Sequence, residues 1–205
     1  MENNPKKKPD GLIILNADFW NNLWEKGYTG WDIGKASPPI TEFLETYPNK
    51  NARILIPGCG NAYEAQFLVD NGFKNITLLD ISSEAVNLLK IRFQNKPQVN
   101  VICDDFFNHQ GQYDLIIEQT FFCTHDPRRR PEYVSQVASL LKVGGEIIGV
   151  LFGKEFAQPG PPFGGVQEDY RLLFEPLFRI KKMELCYNSI KPRAGSELFI
   201  HLIKK

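Results

Sequence analysis

The chain is 205 residues long, 42% hydrophobic and 12% aromatic, with 24 basic residues set against 24 acidic ones. That length favours a single domain over residues 1–205, and at roughly 70% burial of the unfolded surface it supports a sizeable core. The balanced charge excludes a global field that would gather nucleic acid or an anionic membrane, and no run reaches the 18 apolar residues of a membrane span.

Residues 1–10, with Lys6, Lys7 and Lys8 between two prolines, read as a disordered lead rather than a nucleic-acid arm or a signal peptide. Trp20 and Trp24 follow, four apart and so on one face of a helix, with Trp31 beyond them. Pro38 and Pro39 open a helix carrying Ile40, Phe43, Leu44 and Tyr47. The apolar run at 54–56 reads as a buried strand, Gly58 and Gly60 as a tight turn, and the resumed spacing of Ala62, Ala65 and Leu68 as a helix. A strand at 75–80 ends in Asp80, and Ser82 is placed to cap the next helix. Strands at 99–103 and 113–118 follow, then a loop from 119 to 130, a helix at 131–141 and a fifth strand at 146–152. After a Pro/Gly-rich loop at 153–165 and a short helix at 167–174, runs at 178–186 and 197–203 read as a hairpin that adds one antiparallel strand. This alternation predicts a Rossmann-like, doubly wound α/β sheet of seven mostly parallel strands.

Four features converge on the carboxyl edge of that sheet, where open α/β sheets bind ligands. They are the turn at Gly58 and Gly60, Asp80 after the second strand, Asp105 and Phe106 after the third, and Glu118 and Gln119 at the end of the fourth. Asp80 is suited to ribose hydroxyls, and Asp105 with Phe106 to an adenine amine and ring. The G-x-G turn lacks a third glycine, since Tyr63 stands there, which points away from a pyrophosphate and towards S-adenosylmethionine. The spacing from the glycines to Asp80 suits NAD as well, so a dehydrogenase and a non-catalytic cofactor-binding module stay open at this point. Four cysteines without a C-x-x-C pair read as reduced thiols of a cytoplasmic protein, and His109, His125 and His201 show no metal-ligand spacing.

The sequence resembles the thiopurine S-methyltransferase family, and most of all its halide and thiol methyltransferase branch. The resemblance rests on the spacing of Trp20, Trp24 and Trp31, residues 54–63, Asp80, the Asp105-Phe106-Phe107 run, residues 113–130 and the Pro-Gly-Pro-Pro-Phe run at 159–163. It implies the class I methyltransferase fold and an N-terminal segment, residues 11–50, that covers the cofactor. It also implies that Trp20, Trp24, Trp31, Gly58, Asp80, Asp105, Phe106 and Gln119 contact S-adenosylmethionine; Gln119 stands where the branch often has tyrosine. Arg130 falls on the family's arginine over the substrate site, whereas Arg128 and Arg129 read as a solvated loop. Phe121, Phe122, Pro161, Pro162 and Phe163 would wall the pocket. The implied partner is a small sulfur or halide acceptor, taken up by a monomer. A neutral thiol must lose a proton before transfer; Glu118 and Asp126 are the carboxylates to consider, and the sequence singles out neither.

Overall fold

Ile54, Leu55 and Ile56 are each at most 2% exposed, as expected of a strand covered on both faces. They belong to β1, Arg53–Pro57, at the centre of a seven-stranded sheet. In the computed structural model, which describes residues 6–7, 11–158 and 160–205, the other strands are β2, Asn75–Asp80, β3, Val99–Cys103, and β4, Tyr113–Gln119. Beyond them lie β5, Leu141–Phe152, β6, Phe178–Leu185, and β7, Glu197–Lys204. Their spatial order is β3-β2-β1-β4-β5-β7-β6, with β1 to β5 parallel and β7 antiparallel to both its neighbours.

The pleat of β1 divides the core. Ile54 and Ile56 face a cluster with Ile40 and Leu44 of α2, Pro38–Glu45, with Ala65 and Leu68 of α3, Tyr63–Asp70, and with Leu89 of α4, Ser83–Arg92. Leu55 faces Tyr133, Val134 and Val137 of α5, Arg130–Leu140, and the cluster continues to Tyr170 and Phe174 of α6, Gln167–Phe174. The remaining helix, α1, Ala17–Glu25, precedes them all in the chain and lies against α4; it is called the lid helix below. Among the described residues no helix is long and apolar enough to cross a membrane.

Two expectations change. The fifth strand begins at Leu141 rather than 146: Leu141 pairs with Tyr113 and Glu146 with Leu115, and the intervening residues bulge out through Gly144, whose φ is +75°. The expected disordered lead lies outside the described residues except for Lys6–Lys7, which pair with Ile13–Ile14 in a two-stranded ribbon.

The chain reverses its direction of build between β1 and β4. Ligands of such sheets bind at that point, beyond the carboxyl ends of the strands.

Candidate active site

Beyond β1, Gly58 and Gly60 take φ of +55° and +50°, and Ala62 continues the left-handed path at +49° into α3. Asp80 closes this turn from β2: one carboxylate oxygen accepts from the Gly60 N–H and the other from the Ser82 N–H, both at 2.9 Å. Burial pushes its carboxyl above the usual range, while backbone donors at Ser82, Gly60 and Ile81 work against that. A carboxylate has about four lone-pair sites, so with three backbone donors at least one remains for a ligand's hydroxyl. After β3, Asp104 accepts from the Asp105 N–H and Asp105 from the Phe107 N–H, which fixes both carboxylates beside Phe106, itself 4% exposed.

The lid helix is capped by Asn16, whose Oδ1 accepts from the Phe19 N–H at 3.1 Å. None of its residues is fully buried in protein. Trp31 stands edge-on to Trp20 and Trp24, with centroids 5.4 and 6.0 Å away. A Cβ on Gly60 would stand 3.8 Å from Trp24 and from Trp31, so glycine turn and tryptophans face one another. Polar contacts hold this segment down: Ser82 Oγ donates to Asn21, Asn61 and Tyr63 to Asp32, and the Ile13 N–H to Asp126.

Beyond β4 the buried Glu118 organises the loop. Its carboxylate accepts from the N–H groups of Phe121 and Phe122, each at 2.8 Å, and from the Tyr133 hydroxyl at 2.5 Å. Asp126 is ion-paired to Arg128, which holds its carboxyl well below the usual range. Neither lines the cavity described next, so neither is placed as a base toward it. His125 does line it, between Phe121 and Phe107; burial, aided by Arg129, lowers its pKa to about 3 and keeps the ring neutral.

These parts enclose one cavity of about 790 Å³. Trp20, Trp24, Trp31, Gly58, Asp80, Asp105 and Phe106 all line it, as do Phe121, Pro161 and Pro162. Gln119 does not; it ends β4 beside the cavity and its buried Nε2 finds no partner. Arg130 is also outside. It begins α5, its guanidinium lies over the rings of Phe122 and Tyr170, and it donates to the Gly164 carbonyl at 2.6 Å. Phe122 and Phe163 do not line the cavity either, and Phe122 is core at 1% exposure.

The arginine in the wall is Arg129, over the Phe107 ring at 3.8 Å and paired outward with Glu132. Lys154 and Arg193 join it. Arg193 donates to Thr120 Oγ1, to Glu197 and to the Trp31 carbonyl, so it ties the lid segment to the sheet. The charges are therefore sorted by topology: Asp80, Asp104 and Asp105 stand beyond β2 and β3, whereas Arg129, Lys154 and Arg193 stand beyond β4, beyond β5 and before β7. Sequence reading missed these three cations and His125. Their one available signal was position, since each lies in a connection that leaves or enters a strand on the ligand-binding edge.

A second hollow, of about 560 Å³, lies at the opposite edge among Val143, Phe178 and Lys205; it is far from the glycine turn. Among the described residues no cluster of His, Cys, Asp and Glu is suited to a metal ion.

Residues 15–198 match the family model for thiopurine S-methyltransferase (TPMT). The chain is 34% identical over 187 residues to a probable thiol methyltransferase 2 of Arabidopsis thaliana, covering 87% of this chain and 81% of that one. It is 28% identical over 184 residues to thiocyanate methyltransferase 1 of Brassica oleracea, with the same coverage of each. Among solved structures, the 1,6-didemethyltoxoflavin-N1-methyltransferase of Burkholderia thailandensis, with S-adenosylhomocysteine bound, superposes with a TM-score of 0.73 at 17% identity. That match covers 98% of this chain and 94% of the other, and it speaks for the fold.

Proposed function

The chain belongs to the thiopurine S-methyltransferase family, and from that premise we propose that it methylates small anionic sulfur nucleophiles, thiolates and thiocyanate, with halide ions as further acceptors. Membership makes it an S-adenosylmethionine-dependent S-methyltransferase, and the NAD reading of the glycine turn falls away. The acceptor is inferred from the cavity.

The residues present fit the cofactor. Asp80 keeps a lone-pair site free for a hydroxyl, Asp105 and Phe106 offer a polar contact and an apolar face, and the tryptophan faces suit a sulfonium cation. S-adenosylmethionine supplies an already activated methyl group, which leaves the protein chiefly the work of alignment in a dry site.

The observation that carries the acceptor proposal is the sorting of charge. The carboxylates suit a cationic donor on the β2–β3 side, and Arg129, Lys154 and Arg193 suit an anion on the other. The same cations favour the thiolate of a neutral thiol, because an opposite charge nearby stabilises the ionised form. This matches a wall in which neither Glu118 nor Asp126 is offered as a base.

The test is transfer from labelled cofactor to the anions thiocyanate, iodide, hydrosulfide and thiophenolate and to the neutral thioether dimethyl sulfide, with the Arg129→Gln variant alongside. We expect transfer to at least one anion, and in the variant about a tenfold rise in acceptor KM with S-adenosylhomocysteine affinity within about threefold. Transfer to neutral acceptors alone, or an unchanged acceptor KM, would overturn the proposal.

A further inference from the structure

Thr120 has φ of +60°, in the left-handed region that a β-branched residue enters only under constraint. Such outliers collect at functional sites, where the surroundings over-determine them. Here the constraints are visible on every side. The Thr120 hydroxyl accepts from Arg193 at 3.1 Å, its carbonyl accepts from the Cys123 thiol at 3.4 Å, and the next two N–H groups are fixed by Glu118.

What this backbone achieves is the direction of Phe121. Its ring lies directly on Gly58: a Cβ there would come within 2.1 Å of Phe121 Cδ2. The glycine usually credited with admitting a ligand is here admitting a side chain. The ring also stands edge-on to Phe106 at 5.2 Å and to His125 at 4.6 Å. It therefore bridges the end of β1 and the end of β4, on the line where the cavity passes from its acidic half to its basic half. Phe121 packs on the edge of the core, and the same ring forms part of the cavity wall. Phe122, one residue on, reaches 1% exposure in the core, while Phe121 remains in the cavity wall.

We propose that Phe121 sets the line along which acceptor meets donor, and that Thr120 is the positioning residue that aims it. The proposal rests on methyl transfer within this cavity, as set out above, but not on the acceptor's charge. In-line displacement is sensitive to misplacement on the ångström scale, so a ring at the junction of the two halves acts on turnover more than on binding.

Three variants test it: Phe121→Leu, which removes the ring and keeps the apolar volume; Thr120→Asn, which tolerates φ > 0 and keeps an acceptor for Arg193; and Thr120→Val, which keeps the shape and loses the hydroxyl. Each is assayed with thiocyanate, iodide and the neutral thioether dimethyl sulfide, together with S-adenosylhomocysteine affinity and thermal midpoint. Phe121→Leu should lower kcat by about tenfold or more with S-adenosylhomocysteine affinity within about threefold. Thr120→Val should move kcat the same way, and Thr120→Asn should keep it within about twofold, with a midpoint at or above that of the parent.

The proposal is overturned if Phe121→Leu keeps its turnover, if cofactor affinity falls in parallel, or if the two Thr120 variants behave alike. Should Phe121→Leu not fold, the contrast between the Thr120 variants decides. A parent protein active on dimethyl sulfide but not on the anions removes the anionic reading and leaves this comparison intact; inactivity on all three removes both.

Discussion

Glu118 is fully buried, and that burial pushes its carboxyl from an ordinary value of 4.5 up to about 7 despite three hydrogen-bond donors. Between those two values the folded protein holds a proton that the unfolded chain has released. Stability must then fall as pH rises through this window and level off above it, by about 3 kcal/mol for a shift of this size. Glu118→Gln has no such proton. Its unfolding midpoint relative to the parent should rise from pH 4.5 to 7 and then stay constant; a difference independent of pH would show that Glu118 titrates normally. Arg130 makes a second case. With its guanidinium over two aromatic rings and on the Gly164 carbonyl, Arg130→Ala should cost about 2 kcal/mol, or roughly 4–8 °C in thermal midpoint, with S-adenosylhomocysteine affinity unchanged. Arg129 and Arg130 also mark a limit of legibility. They are neighbours in one run of arginines, and the start of α5 turns one into the cavity and the other onto the core. Which way each points depends on where the helix begins, to within a residue, and sequence pattern does not resolve that.

The parallel strands were legible because buried strands require unbroken apolar runs, and the glycine turn because left-handed backbone favours glycine. The beginning of β5 was not, since Lys142 to Gly145 carries turn chemistry and only pairing with Tyr113 extends the strand across it. The lid helix is the opposite situation: plain in its tryptophan spacing, yet weak as an element. It has nine residues, too few to be stable alone, and the cavity rather than the core receives its apolar face. Its order comes from contact with α4, from the polar latches to Asp126, Ser82 and Arg193, and from whatever fills the cavity. Amide exchange at residues 17–25 should therefore be fast without ligand and slow by about tenfold or more with saturating S-adenosylhomocysteine, while β1 and β4 change little. Equal protection with and without ligand would show that the latches alone hold the helix.

At the scale of the molecule, the net charge is zero, yet the largely apolar cavity carries carboxylates on one side and cations on the other. The three cations reach it from Arg129, Lys154 and Arg193, which span 65 residues of chain and meet only because β6 carries the chain back to the ligand-binding edge, where β7 starts antiparallel to β5. No local motif announces that meeting, which is why the acceptor half was less legible than the cofactor half. A local field inside a neutral protein has a measurable signature. Lys154 is exposed and has no acidic partner among the described residues, so it acts on an incoming anion through solvent and is open to screening. Raising ionic strength from about 0.02 to 0.3 M shortens the Debye length from roughly 20 Å to below 10 Å, and kcat/KM for thiocyanate should drop by roughly threefold. A neutral acceptor has no such attraction to lose, so the same change should leave its kcat/KM nearly constant. Lys154→Glu should reverse the sign of the salt effect for the anion, because screening would then weaken a repulsion. If the parent shows the same salt response for charged and neutral acceptors, the cations serve the fold and do not guide the acceptor.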